Sequence, residues 1–290
     1  MNAMIQKLRG IKAKGMFGAL WFVIIGITII AFWVVFYIFF LSDSSTPDFS
    51  GIETESEAPF SKAGCNIAGI DLHGDLYTYN GITDSSAPLS ASSEDIIFII
   101  NIAEDAENIK AIVLDIDSYG GLPVAAEEVS NALKRAKKPT VALIRESGDS
   151  AAYWAATGAD IIFASALSDV GSIGVTGSYV ENTRYNELEG YDFVSLSIGK
   201  FKDTGDPNRK LTDEEKELFM RDIKKINEVF IKTVAENRNL SVGAVRLLAD
   251  GSSMLGDFAL EKGLIDRIGS YKEVREYLKE KIGSEPNICW

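Results

Sequence analysis

The sequence predicts an α/β fold in which a mostly parallel sheet is flanked by helices. Short apolar runs of the β type alternate with helical patterns between Gly64 and Gly283, a length of about 220 residues that suits one domain. Helices between consecutive strands are the connections that parallel strands require. With 46% hydrophobic and 24% charged residues, the chain has enough apolar side chains for one sizeable core.

The predicted strands are short apolar runs that end at turn residues, as expected for strands buried on both faces. In chain order they are Ile67–Leu72, Ala111–Ile116, Thr140–Ile144, Asp160–Ala164 and Phe193–Ile198.

The predicted helices are recognised by their hydrophobic period and their start signals. Pro123 lies near the first turn of one helix, and Thr212 with Glu215 forms the capping pattern of the longest helix. In chain order the helices are Ser93–Asn108, Leu122–Lys137, Ala151–Thr157, Thr212–Asn239, Ser241–Ala249, Asp257–Lys262 and Tyr271–Lys281.

A different pattern precedes this domain. Residues 1–15 carry four basic side chains and no acidic one, and residues 16–41 form an uncharged apolar run. A run of that length can cross a hydrocarbon core of about 30 Å, and it exceeds the apolar core of a cleaved signal peptide. We therefore expect a transmembrane helix at 16–41, with residues 1–15 in the cytoplasm and the rest of the chain outside it.

The remaining boundaries follow from composition. Residues 42–63 are rich in Ser and Glu with little periodicity, which indicates a flexible linker. The folded domain is predicted at 64–283, and residues 284–290 form a short C-terminal tail.

Composition also excludes several classes of function. The net charge of −13 argues against nucleic acid as a partner, because attraction to phosphates needs a basic face. The single histidine, His73, excludes a metal centre with several histidines. The two cysteines, Cys65 and Cys289, are too few for a disulfide framework or a four-cysteine zinc site. We expect no metal site and no cofactor.

A glycine-rich turn at 117–121, with the sequence DSYGG, directly follows a predicted strand and precedes a helix. Paired glycines let backbone N–H groups point outward without an obstructing Cβ, and the helix that follows adds positive dipole character. Such a turn can bind an anion or an oxyanion, although the same spacing also fits an ordinary tight turn.

The segment GDSAA at 148–152 partly resembles a nucleophile elbow, with Ser150 between a strand and an Ala-rich helix. The same position also suits a helix cap. A Ser-Asp-His order would need a histidine after Ser150, and His73 precedes it. A nucleophilic Ser150 would therefore need a lysine base, which acts only where burial lowers the pKa of the amine toward neutrality.

Two lysines, Lys200 and Lys202, lie in the segment GKFKD after the last predicted strand. Phe201 between them would help to remove water from an amine at this place. An ordinary solvated loop would have the same composition.

Together and in this order, these segments resemble the signal peptide peptidase A family of membrane-anchored serine peptidases. The resemblance spans about Ile67 to Leu278 and also includes GSIGV at 171–175 and ALEKGLID at 259–266. It implies a ClpP/crotonase-type α/β fold and a Ser-Lys dyad.

The resemblance also implies a role for each matching position. Ser150 matches the nucleophile in the family's A-S-G-G-Y-Y pattern, and Lys202 matches the base. Ser172 matches a serine that orients the lysine, and Gly120 and Gly121 match the glycines of the oxyanion hole. Lys200 is the alternative candidate for the catalytic base.

The chain departs from the family pattern in three places. Tyr119 replaces a proline before the paired glycines, and Ala151 and Ala152 replace the two glycines after the nucleophile. The segment at 252–254 replaces an arginine-containing turn. None of these changes removes the hydroxyl, the amine or the glycine donors.

The resemblance implies an endopeptidase of the cell membrane whose catalytic domain is extracytoplasmic. Its partners would be peptide substrates, such as residual signal peptides and other apolar peptides, and further copies of itself in a homo-oligomer. Hydrolysis would proceed through an acyl-enzyme and would need no cofactor. Two alternatives remain open: an inactive membrane-anchored peptide-binding scaffold of the same fold, and an acyl-CoA enzyme of the crotonase type, which shares the glycine device.

Overall fold

The computed structural model describes residues 64–79 and 89–290, together with Ile29, Phe32, Trp33 and Phe60. The chain divides into two compact units, Met1–Ser56 and Glu57–Trp290. Within the described residues, no helix is both long and apolar enough to cross a membrane. The anchor predicted at 16–41 lies outside the described residues except for Ile29, Phe32 and Trp33. The linker predicted at 42–63 lies outside them except for Phe60.

Ten strands lie in the described part of the second unit. They are β1 (Ile67–His73), β2 (Asp75–Tyr77), β3 (Ser90–Ser92), β4 (Ala111–Ser118), β5 (Thr140–Asp149), β6 (Ile161–Ala164), β7 (Asp169–Gly171), β8 (Ser253–Leu255), β9 (Arg267–Ile268) and β10 (Ile288–Cys289). The main sheet has the order β10-β1-β4-β5-β6-β9 with parallel neighbours. β7 adds to the end of β5, β8 pairs antiparallel with β7, and β2 and β3 form a small separate sheet.

Helices connect most of these strands. They are α1 (Ser93–Asp105), α2 (Pro123–Arg135), α3 (Ser150–Ala156), α4 (Thr183–Glu189), α5 (Asp213–Asn237), α6 (Val242–Leu248), α7 (Gly256–Glu261) and α8 (Tyr271–Ile282). The capping box predicted at the start of α5 is present, since Thr212 Oγ1 accepts from the Glu215 N–H and Glu215 bonds back to the Thr212 N–H. The mostly parallel sheet with flanking helices confirms the predicted α/β class.

The core lies on both faces of the main sheet. On one face, side chains such as Leu72 and Leu114 pack with α1, α2, α3 and α5. On the other face, Ile67 and Val113 pack with α8 through Val274. Successive residues of a strand point to opposite faces, so β1 and β4 contribute to both layers.

β4 and β5 run further than the sequence predicts. Ser118 pairs with Gly148, and residues 147–149 at the end of β5 pair with β7. These late pairings extend β5 to Asp149, so that the strand ends immediately before Ser150.

The strand predicted at Phe193–Ile198 is wrong, because residues 191–197 have no regular secondary structure. Leu196 and Ile198 are 94% and 99% exposed. A β-type sequence forms a strand only when a neighbouring strand satisfies its backbone, and the described residues place none beside this segment.

The predicted C-terminal tail also differs from expectation. Residues 288–289 form β10, which pairs with β1, and Cys289 forms a disulfide with Cys65 across 224 residues of sequence. The two cysteines thus form one bridge between the segment just before β1 and its neighbour β10.

Candidate active site

Ser150 lies at the point where β5 ends and α3 begins. Its φ of +51° is left-handed, a conformation that residues other than glycine rarely adopt. The residue before it, Asp149, is extended, with φ −110° and ψ 154°. The chain therefore reverses sharply at Ser150, as it does at the strained strand-to-helix turn of a nucleophile elbow.

The glycine turn after β4 is held against β2 and against the serine. Leu76 N–H donates to the Gly120 carbonyl at 2.8 Å, and Leu122 N–H donates to the Leu76 carbonyl at 2.8 Å. A Cβ on Gly121 would lie 2.1 Å from the Leu76 oxygen, so no side chain fits there. A Cβ on Gly120 would lie 3.3 Å from Ser150 Oγ. Gly121 is thus required by the close approach of the Leu76 backbone, whereas Gly120 is favoured by its positive φ of 130° beside the Ser150 side chain.

The two glycines differ as donors to an oxyanion. Gly120 N–H already donates to Ser118 Oγ at 3.1 Å. Gly121 N–H takes no part in either bond to Leu76. Ala151 N–H belongs to the first turn of α3, where N–H groups have no acceptor within the helix. The geometry therefore favours Gly121 and Ala151 as candidate donors. The sequence analysis missed Ala151, and its position directly after the predicted nucleophile is the available signal.

Ser150 faces a cavity of about 560 Å³ that Gly121 and Ser172 also line. Apolar side chains of α3 and α5, among them Trp154 and Phe230, form one wall. The rings of these two residues stack with centroids 4.8 Å apart. A partly apolar cavity beside a nucleophile suits a substrate with an apolar side chain.

Ser172 is held in place by the segment at 250–252. Its backbone is left-handed, with φ +47°. Its hydroxyl donates to the Gly251 carbonyl at 3.0 Å, and its N–H donates to the Ser252 carbonyl at 3.1 Å. A hydroxyl that gives its proton to a carbonyl keeps its lone pairs for the N–H of an amine. Ser172 can therefore orient a lysine, which stays a prediction.

The structure does not bring the predicted base to the serine. Lys202 lies on an exposed turn and does not line the cavity. Lys200 is also exposed and forms an ion pair with Glu214 at 2.8 Å. Lys224 of α5 is the only lysine among the described residues that line the cavity, and its place in a regular charged helix gave no signal in the sequence.

Asp149 is a second residue that the sequence analysis missed. It is buried, and within the part of the chain that the structure describes its Oδ1 has no hydrogen-bond partner. Burial raises the pKa of its carboxyl to about 6, and the nearby Asp169 adds to the rise. A titratable group thus lies directly before Ser150.

Comparison with known proteins agrees with this geometry. Residues 132–285, more than half of the chain, match the profile of Peptidase family S49. A protein of Methanocaldococcus jannaschii that is named as a protease is 31% identical over 231 residues, which cover 78% of this chain and 74% of that protein. A protein of Enterococcus faecium that is named as a signal peptide peptidase is 30% identical over 183 residues, which cover 62% of this chain and 53% of that protein.

A plant relative is similar over a comparable stretch. The chloroplastic serine protease SPPA of Arabidopsis thaliana is 30% identical over 200 residues, which cover 68% of this chain and 30% of that protein. The chain thus spans about half the length of the E. faecium relative and less than a third of the plant relative.

The strained serine, the glycine turn and these relatives together define the class of the protein, which is a serine peptidase. Within that class the chain belongs to Peptidase family S49. This assignment confirms the resemblance to the signal peptide peptidase A family.

Proposed function

We propose that the protein is a membrane-anchored endopeptidase that hydrolyses apolar peptides, residual signal peptides among them, with Ser150 as nucleophile and Lys202 as base. The observation that carries the proposal is the left-handed Ser150 at the end of β5, with the backbone of Gly120 against its side chain. The partly apolar cavity in front of it supports an apolar substrate.

The reaction follows from these groups. Ser150 Oγ attacks the scissile carbonyl, and the neutral lysine amine takes the hydroxyl proton. The N–H groups of Gly121 and Ala151 stabilise the oxyanion, and loss of one such donor typically raises the barrier by ~2.7–4 kcal/mol. The lysine then gives its proton to the leaving amine. Water, deprotonated by the same amine, hydrolyses the acyl-serine ester and releases the second product.

In this proposal Lys202 comes from a neighbouring copy of the chain. Residues 179–201, which we name the apolar arm, expose many large apolar side chains: Tyr185, Leu188, Tyr191, Val194, Leu196 and Ile198. An exposed apolar surface of this kind marks a protein–protein interface. The arm leads directly to Lys202, so one contact between copies would both cover the arm and supply the missing amine. Lys224 in the same chain is the alternative base.

The anchor and the placement of the domain are part of the same proposal. The basic residues 1–15 and the apolar run at 16–41 support a catalytic domain outside the cytoplasm. The disulfide between Cys65 and Cys289 supports this placement too, because disulfides persist in oxidising compartments. An anchored domain meets peptides left in the membrane at a raised effective concentration.

A subunit-mixing experiment tests the dyad. With the full chain in detergent and a fluorogenic apolar peptide, Ser150→Ala and Lys202→Ala should each lower kcat/KM by more than about a thousandfold. Lys200→Ala and Lys224→Ala are the matched controls, and each should keep most of the activity. When the two inactive variants are dissociated and reassembled together, about a quarter of the sites should pair an intact Ser150 with an intact lysine, and activity should return.

The other outcomes are equally informative. An inactive Lys202→Ala variant whose mixture stays inactive places the base in the same chain. Loss of activity in Lys224→Ala with retention in Lys202→Ala assigns the base to Lys224. A wild-type chain that neither cleaves peptides nor reacts at Ser150 with a fluorophosphonate probe contradicts the proposal and favours the peptide-binding scaffold.

Protease protection tests the placement of the domain. In spheroplasts treated with an external protease, a tag after Trp290 should be removed and a tag before Met1 should survive. The reverse pattern would contradict the proposed orientation.

A further inference from the structure

A second polar cluster lies away from the cavity of Ser150. Asp71 and His73 are alternate residues of β1, and Asp115 is the partner of Asp71 on β4. These side chains share the sheet face of Ile67 and Val113, which packs against α8. The walls of the Ser150 cavity come from α3 and α5, which pack on the other face.

We propose that Asp71, His73 and Asp115, here named the His73 cluster, bind one divalent transition-metal ion of the Zn²⁺ type. One imidazole and two carboxylates are a ligand set that such ions accept, and three protein ligands leave a position for water. No metal site is expected from a sequence with a single histidine, whereas this site needs only one.

The spacing of the donor atoms supports a shared ion. One ligand atom from each of the three residues lies within 4.8 Å of the others. His73 Nε2 and Asp115 Oδ2 are 3.2 Å apart. Two ligand atoms that are each about 2.1 Å from one Zn²⁺ at a tetrahedral angle lie about 3.4 Å apart. Asp71 is exposed, so packing does not prevent its carboxylate from moving the remaining distance to a shared ion.

Asp115 provides an independent indication. Its side chain is only 4% exposed, and its Oδ1 is buried with no hydrogen-bond partner among the described residues. A buried carboxylate oxygen without a partner is costly, typically by about 1–3 kcal/mol or more. A bound cation would satisfy this oxygen, whereas the contacts with His73 and Arg145 both go to Oδ2. The Tyr271 hydroxyl also faces the Asp115 carboxylate, and an ion would compete with it.

The surroundings leave room for an ion and its water. His73 and Asp115 line a cavity of about 420 Å³, whose other polar residues include Asp117, Ser165 and Ser270. His73 is half-exposed, so an ion can reach it from solvent. The site also lies at the carboxyl ends of β1 and β4, where parallel sheets commonly bind ligands.

The positive charge of Arg145 opposes the binding of a cation at this site. A variant that lacks this charge therefore provides a second, independent test. The Arg145 guanidinium is 3.5 Å from Asp115 Oδ2 and 4.5 Å from the centre of the Tyr271 ring. Removing this charge should strengthen metal binding, whereas removing a ligand should weaken it. A purely structural ion-pair network would not show these opposite effects.

Zinc binding to the tag-free full chain in detergent tests the proposal. Isothermal titration with ZnCl₂ should show one site per chain. The single imidazole gives one unambiguous set of ¹H–¹⁵N signals in histidine-labelled protein, and Zn²⁺ should shift it. His73→Gln and Asp71→Asn should each weaken binding at least about tenfold, and Arg145→Gln should strengthen it.

Asp75→Asn is the matched control, because Asp75 is an exposed carboxylate two residues from His73. It should leave the affinity within about twofold of the wild type. His73 and Asp71 are not fully buried, so their variants should fold, which circular dichroism checks. Zinc binding that is absent in the wild type, or that survives His73→Gln unchanged, overturns the proposal.

Discussion

Ser150 itself carries the local backbone strain at the turn between β5 and α3. Ala151 and Ala152, which replace two glycines of the family pattern, continue as ordinary helix in α3. The positive φ falls on Ser150 itself, at a cost of about 1–3 kcal/mol. The alanines are therefore compatible with the turn, because the sharp reversal does not need a glycine after the serine.

Asp149 predicts an unusual dependence of stability on pH. Its pKa is raised from 3.8 to about 6, so between these values the folded state binds more protons than the unfolded state. The free energy of unfolding therefore falls as pH rises through this window and stays lowered above it. Asp149→Asn should be more stable than the wild type by about 1–3 kcal/mol at pH 8.

Urea denaturation at several pH values checks this expectation. The advantage of Asp149→Asn should shrink as the pH is lowered toward 4, where the wild-type carboxyl is protonated in the folded state. An advantage that is the same at pH 4.5 and pH 8 would show that the carboxyl is not desolvated as the structure indicates.

Gly121 predicts a large effect of a single methyl group. A Cβ there would meet the Leu76 oxygen at 2.1 Å, so Gly121→Ala must displace the turn from β2. We expect a loss of stability of about 2–4 kcal/mol and loss of peptidase activity. Gly190→Ala is the control, since Gly190 also has a positive φ of 76° but no atom of the described residues within 4 Å of the Cβ position.

Thermal denaturation of both glycine variants separates the cost of a left-handed backbone from the cost of a steric clash with Leu76. Gly190→Ala should lose only about 1 kcal/mol, the cost of a left-handed backbone for alanine. Equal losses in the two variants would mean that the turn at Gly121 can move without penalty.

At the scale of elements, the sequence predicts best the segments whose partners lie within the same chain. Strands with continuous apolar runs, such as Ala111–Ile116, are present because β1 and β5 lie beside them. Phe193–Ile198 has an equally clear β pattern and forms no strand. Its physical requirement is a neighbour, and periodicity does not say whether the neighbour belongs to the same chain.

The same distinction explains the candidate site. Ser150, Ser172 and Gly121 meet at one cavity because each follows the end of a strand of the same sheet. Those strands are β5, β7 and β4, respectively. Lys202 follows the segment that lacks its partner strand, so spacing along the chain could not place its amine. Short pairings such as β7 with β8 involve three residues each and carry no periodic signal.

The start of α5 anchors the segment that carries Lys202. Glu215 is buried and receives bonds from Arg209 and from the Thr212 N–H, and Arg209 also donates to the Asp203 carbonyl. The bond from Arg209 is the main cause that holds the pKa of Glu215 far below its usual range. This network fixes the loop at 203–209 on the helix end.

Glu215→Gln should therefore lower the melting temperature at pH 7. Because the folded-state pKa is lowered, the stabilisation is present above the unfolded value of 4.5 and is lost as the pH falls below it. The difference between variant and wild type should shrink in acid. Glu214→Gln, at an exposed neighbouring position, is the control and should melt near the wild-type temperature. A Glu215→Gln variant as stable as this control at pH 7 would contradict the anchoring role.

At the scale of the whole molecule, the apolar arm predicts self-association. Replacing Leu196 and Ile198 with aspartate puts charge on side chains that are 94% and 99% exposed in the single chain, so its folding should not suffer. We expect the double variant to sediment as a smaller species than the wild type and to lose peptidase activity together with its assembly. Leu167→Asp, at another exposed leucine outside the arm, is the control and should stay assembled. An active, unassembled double variant would separate catalysis from association.

The disulfide between Cys65 and Cys289 has a consequence for a protease whose copies can cleave one another. It closes a covalent ring around almost all of the second unit, since the two cysteines are 224 residues apart. A single cut anywhere inside that ring, for example in the apolar arm, opens the ring but leaves both fragments joined. A self-nicked enzyme would migrate as one chain without reductant and as two with it, and β10 would stay tied to the segment before β1 after the cut.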